Sequence, residues 1–479
     1  MGCIVEERFA NNTEVAYDHF GRLAEKDENG LVYAYAYDAY GNRTSRTVSS
    51  ANGETTEERR SYDKYGRLVE ISSFGTSVKY RYDAKGRVAR QVVDGSPIDF
   101  VYTKYGQLAG KYLGGREKPD AAVEYEYSKS GQIVARTANG VRQAYEYDGR
   151  GQLRAVKENG ADVERYVYDK AGNMVKKTVR ATTTTFTFDG ANQLVSSTTD
   201  GVTTRYAYDA AGRLVKEGNK TDRYGYLDTV LSVTEGARTY TYDYHVDGQL
   251  ARADYGQGGT RSVASASEDF LWDGLALIRR GDERFVNEPH VGGGNPVASS
   301  KGTTYFNDIL GTTVGAKKGA KYSAAALTAF GESFPASQPL NTSTSQQFYT
   351  GKPHVTGLGH TFLFRNYCAS FGKWQTADPL GYPDGLNQLT YCKNEATYAV
   401  DAYSLWTAQL GGFFFAGAST GVTVQIGVAL GFTWEEGFSG GIYYNVGIGA
   451  EIGASASGGV VATKWKHLVK GMTVECVEE

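Results

Sequence analysis

The chain has 479 residues, with 51 basic and 54 acidic side chains and a formal net charge of −3. Since neither sign of charge dominates, the composition excludes the broad basic surface of a nucleic-acid-binding protein. The 36 Tyr and 60 Gly, set against 3 Met and 9 Pro, indicate aromatic strands joined by glycine turns. No long segment has the period of a helix, so we expect little helix.

The N-terminal residues and the cysteines give few indications of function. The first residues, MGCIVEER, contain no apolar run that would serve as a signal peptide, and we expect a piece of a longer protein. Cys3, Cys368, Cys392 and Cys476 lack the paired spacing of a zinc site. We therefore expect packing or unpaired thiols, no metal and no cofactor.

A short motif repeats along the first half of the chain. It consists of Tyr-Asp, two further residues, Gly, then Arg, Asn or Gln and an aliphatic residue, as in Tyr82–Val88. Copies begin every 20 to 25 residues, at Tyr17, Tyr37, Tyr62, Tyr82, Tyr147, Tyr168 and Tyr208, with decayed copies at Tyr102, Tyr127 and Phe188. A fixed period of this kind indicates a repeat architecture.

Each copy predicts a strand that runs into a hairpin turn. Tyr80 and Tyr82 are two residues apart, so they lie on one face of a strand. Asp83 can accept hydrogen bonds from the backbone ahead of it, and Gly86 can adopt the positive φ of a turn. A single hairpin cannot bury its aromatic face, but stacked hairpins can, and we expect an all-β repeat sheet.

This pattern resembles the YD repeats of RHS proteins, a family that includes bacterial polymorphic toxins, the C components of insecticidal toxin complexes and animal teneurins. The resemblance implies a β-sheet spiralled into a hollow shell. The array has fewer strands than a full shell of the family, so we expect a whole or partial shell. It also implies a protein that is secreted or displayed at the surface of a bacterial cell, with a secretion-apparatus component and an immunity protein as partners.

The regular array is predicted to end near residue 255. Before that, the register loosens at Tyr226-Leu227-Asp228, and after Tyr242-Asp243 the turn at Gly248 arrives two residues late. Residues 256–363 are interpreted as loosened repeats leading into a core. Within them, His354 and His360 are expected in turns rather than as metal ligands.

Residues 364–406 resemble the RHS repeat-associated core over their whole length. The matching residues are Arg365, Gly372-Lys373-Trp374, Asp378-Pro379-Leu380-Gly381, Asn387, Tyr391, Asn394, Asp401 and Leu405. In self-processing members of the family, two such aspartates act as a protease pair and the chain is cut after the final Leu. The resemblance therefore implies Asp378 and Asp401 as a catalytic pair, Arg365 as their support and Leu405-Trp406 as the cleaved bond.

The proposed chemistry is a single-turnover aspartic self-cleavage. Two neighbouring carboxyl groups do not both ionise readily, so one can keep a proton and polarise a carbonyl while the other activates water. The alternative is that both aspartates only initiate turns. At the second position the family's Asp-Pro-x-Gly-Leu is Asp401-Ala402-Tyr403-Ser404-Leu405, which lacks the Pro and the Gly that shape such a turn.

The composition changes after Trp406, and residues 407–479 are interpreted as a variable Gly-rich β domain, the position of the effector in polymorphic toxins. Two alternating segments within 422–452 predict strands of about eleven residues each, joined by a turn over 433–441. That length suits a tilted strand crossing a bilayer, so membrane contact is one interpretation. The other is a half-buried hairpin packed inside the shell. No enzymatic toxin motif is present in the tail.

Two functions follow from the sequence. The first is an RHS-type toxin, or a fragment of one, whose β-shell encloses its own C-terminal segment and releases it by self-cleavage after Leu405. The second is a structural cell-surface adhesion or carbohydrate-binding β-scaffold without catalytic activity.

Overall fold

The computed structural model describes residues 4–9, 13–225, 228–245, 247–257, 266–290, 293–334, 347–405, 407–409, 420–433, 437–450 and 476–477. It forms two compact units, one of Met1–Val88 with Ala416–Glu479 and the other of Ala89–Phe415. In the described part of the chain, the helical structure is a short 3-10 turn at Tyr391–Asn394. The expected all-β fold with little helix is confirmed.

The first unit begins with consecutive strands that pair antiparallel, each with the next. In chain order, β1 to β8 are Ile4–Phe9, Thr13–Tyr17, Leu23–Glu28, Leu31–Tyr37, Arg43–Ser49, Thr55–Tyr62, Leu68–Ser73 and Thr76–Tyr82.

The second unit contains a longer antiparallel meander, in which each strand again pairs with its successor in sequence. In chain order, β9 to β32 are Val88–Val93, Ser96–Tyr102, Leu108–Leu113, Ala121–Tyr127, Ile133–Ala138, Val141–Tyr147, Leu153–Glu158, Ala161–Tyr168, Met174–Val179, Thr182–Phe188, Leu194–Thr199, Val202–Tyr208, Leu214–Glu217, Lys220–Tyr224, Val230–Glu235, Arg238–Tyr244, Leu250–Gln257, Ala266–Asp273, Ala276–Arg280, Glu283–Glu288, Asn295–Ser299, Thr303–Asn307, Thr313–Lys318 and Lys321–Ala324.

Short strands follow in the same unit, where β33 to β37 form one sheet and β38 pairs with β39. They are Phe348–Tyr349, Lys352–Val355, Gly359–Thr361, Asn366–Cys368, Lys373–Trp374, Ala399–Val400 and Ala408–Gln409. His354 and His360 lie opposite each other on β34 and β35. The prediction that these histidines lie in turns is therefore wrong, because their backbones take part in strand pairing.

The tail contributes three strands to the first unit: β40, Thr420–Thr433; β41, Gly437–Ala450; and β42, Cys476–Val477. β40 and β41 form the expected antiparallel hairpin, with Thr420 opposite Ala450 and Thr433 opposite Gly437. Each strand has 14 residues, so both are longer than predicted and the connection is shorter. β42 pairs with β1.

The repeated turn is built around the aspartate side chain. In the turn after β8, Asp83 Oδ1 accepts the backbone N–H groups of Lys85 and Arg87 at 2.8 and 3.0 Å. Gly86 has a φ of 80° and donates its N–H to the Asp83 carbonyl. Burial raises the pKa of Asp83, but the Arg87 side chain and these N–H groups outweigh burial, so the pKa is lowered overall.

At eight copies the motif tyrosine donates a hydrogen bond that ties its hairpin to the preceding one. At Tyr62, Tyr82 and Tyr168 the hydroxyl donates to the carbonyl of Arg43, Leu68 and Leu153, the residue that starts the strand after the previous motif turn. We call this bond the tyrosine staple. The same bond occurs at Tyr37, Tyr127, Tyr147, Tyr224 and Tyr244.

The tyrosine staples at Tyr224 and Tyr244 show that the repeat register predicted after Tyr208 is wrong. Tyr224 donates to Leu214, and Gly225 occupies the aspartate position of the turn, so this repeat begins two residues before the predicted Tyr226. Tyr244 donates to Val230, and His245 opens the turn that Gly248 closes. The Gly248 turn therefore does not arrive late, because the motif pair is Tyr244-His245 and not Tyr242-Asp243.

A buried acid joins the meander to a later segment of the same unit. Glu164, on β16, accepts hydrogen bonds from the Tyr166 hydroxyl at 2.5 Å and from the Ala329 N–H at 3.0 Å. Burial raises the pKa of Glu164 from its ordinary 4.5 to about 7, although Tyr166, Ala329 and Arg136 all lower it. The native protein therefore holds a proton here at mildly acidic pH.

We expect Tyr168→Phe to lower the free energy of unfolding by about 1–2 kcal/mol, because the Leu153 carbonyl loses its donor. Urea unfolding followed by tyrosine fluorescence measures the change. Tyr105→Phe is the matched control, because Tyr105 is 71% exposed. Equal losses in the two variants would contradict a structural role for the staple.

We expect Glu164 to make stability depend on pH between about 4.5 and 7. Because its folded pKa is raised, the native state binds the proton more tightly, so its contribution to stability falls as pH rises through this range. Thermal unfolding at pH 5 and pH 8 should therefore show Glu164→Gln gaining stability relative to the parent at the higher pH. The exposed Glu235→Gln serves as control, and the same pH response in both variants would refute the assignment.

Candidate functional site

The two candidate aspartates open turns that resemble the repeat turn. Asp378 Oδ1 accepts the Leu380 N–H at 2.8 Å, and Gly381 has a φ of 86° and donates to the Asp378 carbonyl. Asp401 Oδ1 accepts the Leu405 N–H at 2.9 Å, four residues on, as Asp83 does with Arg87. Both aspartates therefore use one oxygen to hold a turn and leave Oδ2 for another partner.

One arginine lies beside the Oδ2 atoms of both aspartates. Arg365 Nη2 lies 2.8 Å from Asp378 Oδ2 and 3.4 Å from Asp401 Oδ2. Its Nη1 donates to the Gln388 carbonyl at 2.9 Å, and the guanidinium carbon lies 4.4 Å from the Trp374 ring centre. Asp378, Asp401 and Arg365, predicted from sequence as a cluster, do lie together, and all three are buried.

Burial shifts the pKa values of two members of this cluster, Asp378 and Arg365. It raises the pKa of Asp378, and the positive charge of Arg365 opposes the rise. Burial likewise lowers the pKa of Arg365, against the charges of Asp401, Asp378 and Asp384. Burial thus favours the protonated form of Asp378, which is the state required of one acid in a carboxyl pair.

Lys352 is a buried charge beside the site that the sequence did not indicate. Burial lowers its pKa to about 7, against the negative charge of Asp401, and its Nζ donates to the Leu275 carbonyl at 3.2 Å. The lysine comes from β34, outside the core motif, so only the folded chain brings it near Asp401.

The core segment rests on the turns of the array. Lys373 Nζ donates to the Asn173 side chain and to the Asn192 carbonyl at 2.6 and 3.1 Å. Asn387 and Asn394 donate to carbonyls of the same turn, those of Ala171 and Gly172. These three side chains therefore tie the core segment to the turns that follow Tyr168 and Phe188.

Further contacts extend along successive turns. The Tyr398 hydroxyl donates to the Gly151 carbonyl, and its ring packs edge-on against Tyr147 with 5.3 Å between ring centres. The Leu214 N–H donates to the Gln375 carbonyl. On the other side of the core, Tyr367, Trp374 and Tyr391 form an aromatic cluster with ring centres 4.4 to 5.7 Å apart. These contacts therefore hold the turns of the core segment in fixed positions.

The end of the core is a buried turn that we call the neck, residues 401–405. Leu405 is completely buried, and Ser404 takes the position of the missing glycine with a φ of 61°. We expected that a turn without glycine would lose its positive φ, but Ser404 adopts one. Trp406, the far side of the predicted cleaved bond, lies outside the described residues.

The remaining predicted groups have other surroundings. Cys368 and Cys392 are free thiols, and Cys392 is buried, while the side chains of Cys3 and Cys476 lie outside the described part. Burial lowers the pKa of His360 to about 3, and its ring packs against His354 and Tyr349. No helix among the described residues has the length and apolar character needed to span a bilayer.

Two family models match the chain. The model described as RHS Repeat covers residues 17–56 and 62–96, and the Teneurin YD-shell model covers residues 123–261. No curated protein matches significantly. Residues 17–56, 62–96 and 123–261 are thus RHS/YD repeats, as the sequence predicted.

Solved structures share the fold. The crystal structure of TcdB2-TccC3 without its hypervariable C-terminal region is 15% identical, with a TM-score of 0.59 over 80% of this chain and 24% of that chain. The crystal structure of TcdB2-TccC3 is also 15% identical, with a TM-score of 0.59 over 80% of this chain and 25% of that one. The chain thus spans about a quarter of the length of these structures. The expected fold class, an all-β RHS-type repeat sheet, is confirmed.

We expect Arg365→Met to destabilise the protein by about 3–5 kcal/mol, because two buried acids lose their shared cation. The loss should be larger at pH 8 than at pH 5, where protonation relieves the uncompensated charge. Arg213→Met is the control: its pair with Asp209 is about a quarter exposed on each side, and such a pair contributes at most about 1 kcal/mol. Chemical unfolding at both pH values measures the difference, and a loss no larger than that of the control would contradict the central role of Arg365.

Proposed function

We propose that this chain is a toxin-related RHS shell protein, or a part of one, that holds its own C-terminal segment as a payload. The observation that carries the proposal is the docking of the core on the array turns, through Lys373, Asn387 and Asn394. This docking fixes the neck directly before the compositional change at residue 407. A rigid attachment at that point is what a carrier of a variable segment requires.

The proposed organisation follows the sequence. Residues 1–255 form the repeat array, 256–363 the loosened repeats, 364–406 the core and 407–479 the payload. The protein would act outside the cell that makes it, with a secretion-apparatus component for delivery and an immunity protein that neutralises the payload. The 14-residue strands Thr420–Thr433 and Gly437–Ala450 are the part proposed to contact a membrane.

Self-cleavage after Leu405 is the catalytic part of the proposal. Asp378 would keep its proton and polarise the Leu405 carbonyl, while Asp401 would activate water for attack. Arg365 would hold the two carboxyl groups toward each other. The hydrogen bond from the Leu405 N–H to Asp401 supports this arrangement, because it places a carboxylate beside the residue whose carbonyl would be attacked.

The non-catalytic scaffold is the second candidate, and a specific surface feature favours it. Phe20, Tyr40 and Tyr65 stand at the same position of three successive motif turns, and each is more than half exposed. Exposed aromatic rings in a regular row are suited to stacking on sugar rings. In this case the aspartates would serve only to hold the turns of the core.

Intact-mass spectrometry of the purified protein tests the catalytic part. We expect a fragment ending at Leu405 in the parent and in Asp209→Asn, a repeat-turn control, but not in Asp378→Asn or Asp401→Asn. Cleavage should slow as pH rises through the raised pKa of Asp378, since the acid then loses its proton. An uncut parent between pH 4 and 8 would favour the scaffold. A fragment ending at Leu405 that persists in both aspartate variants would reject the carboxyl mechanism.

A further inference from the structure

Ser404 is the residue of the neck whose conformation is least expected. Its side chain is completely buried, and its φ of 61° lies in the region that glycine favours. A serine held there carries backbone strain, which persists only where the surroundings over-determine the conformation. Most other non-glycine residues with positive φ in this chain are Asn or Asp, or lie in two-residue hairpin loops. Ser404 therefore calls for a separate explanation.

The contacts of the hydroxyl group provide one. Ser404 Oγ lies 2.5 Å from the carbonyl oxygen of Tyr403, to which it donates. It accepts the N–H of Phe364 at 3.2 Å. The buried hydroxyl thus lies against the oxygen of the peptide carbonyl that precedes it, and the carbon of that carbonyl is the one that a nucleophile would attack.

The surrounding groups hold this geometry. The Asp401 carboxylate binds the Leu405 N–H and so fixes the residue after Ser404, while Arg365 fixes Asp401. The Phe364 N–H donates to Oγ and so fixes the hydroxyl beside the Tyr403 carbonyl. Cleaving the bond on the N-terminal side of Ser404 would also release the strain of its positive φ.

We propose that Ser404 is an internal nucleophile that breaks the Tyr403-Ser404 peptide bond by an N-to-O acyl shift. Oγ attacks the Tyr403 carbonyl carbon, an ester bond forms, and the C–N bond breaks. The hydroxyl proton passes to the Ser404 nitrogen, which becomes a free amine. Water then hydrolyses the ester, leaving a carboxylate on Tyr403 and restoring the Ser404 hydroxyl on the released segment. This reaction requires no oxidant, metal or cofactor.

This inference rests on the proposed release of the tail at the neck, but it names a different bond and a different reactive group. Cleavage by the carboxyl pair yields an N-terminal fragment ending at Leu405. The acyl shift yields one ending at Tyr403, shorter by one Ser and one Leu. The two mechanisms are therefore separated by a single mass measurement, and either can fail while the other holds.

The test uses the full chain, with and without hydroxylamine, which captures an ester as a hydroxamate. We expect a fragment ending at Tyr403, increased by hydroxylamine, and a decrease of at least about a hundredfold in Ser404→Gly. Glycine keeps the positive φ without strain, so this variant should fold as the parent does, which thermal unfolding verifies. Ser404→Cys should retain cleavage through a thioester and become sensitive to added thiol.

Three outcomes would overturn the proposal. The first is a parent that stays intact even in hydroxylamine. The second is a parent whose only fragment ends at Leu405 and persists in Ser404→Gly, which would favour the carboxyl pair. The third is a fragment ending at Tyr403 that Ser404→Gly still releases, which would point to a contaminating protease.

Discussion

The fold depends on an aspartate side chain that accepts two backbone N–H groups of its own turn. In the Asp83 turn this carboxylate binds Lys85 and Arg87 while glycine takes the positive φ. The turn aims the chain back into the sheet, and the tyrosine staple then joins the hairpin to the one before it. Each bond is worth little alone, since a hydrogen bond contributes about 1 kcal/mol net. Repetition along the array makes them a continuous support for one aromatic face.

The core uses the same turn for a different purpose. In the array, the second carboxylate oxygen of Asp83 meets Arg87 of its own turn, in a pair that is about a fifth exposed on each side. In the core, Asp378 and Asp401 instead share the buried Arg365. Buried ion pairs stabilise poorly relative to apolar packing, but they penalise any arrangement that separates them. Because Asp378 and Asp401 bind Arg365 and not an arginine of their own turn, the ion pairs link the two turns to each other.

The sequence predicted the repeat period and the all-β class because both are encoded in local motifs, while the resemblance to the RHS core implied the cluster of Asp378, Asp401 and Arg365. It misplaced the repeats at Tyr224 and Tyr244, since alternating tyrosines offer two registers and only the staple to Leu214 or Val230 distinguishes them. Lys352 could not be predicted as a site residue, because its approach to Asp401 depends on the packing of β34. The positive φ of Ser404 could have been suspected from its glycine position, whereas its contact with Phe364 is a tertiary one.

The position of a cut determines what the core keeps. If the chain breaks after Leu405, the Leu405 N–H stays bound to Asp401, and the turn and its Arg365 link survive the release of the tail. If it breaks before Ser404, Leu405 departs with the tail and Asp401 loses the partner of its Oδ1. The buried acid must then find another donor or take up a proton, so the second cut loosens the neck while the first leaves it intact. Because Lys373, Asn387 and Asn394 anchor the core independently, either cut would leave the rest of the segment docked on the array.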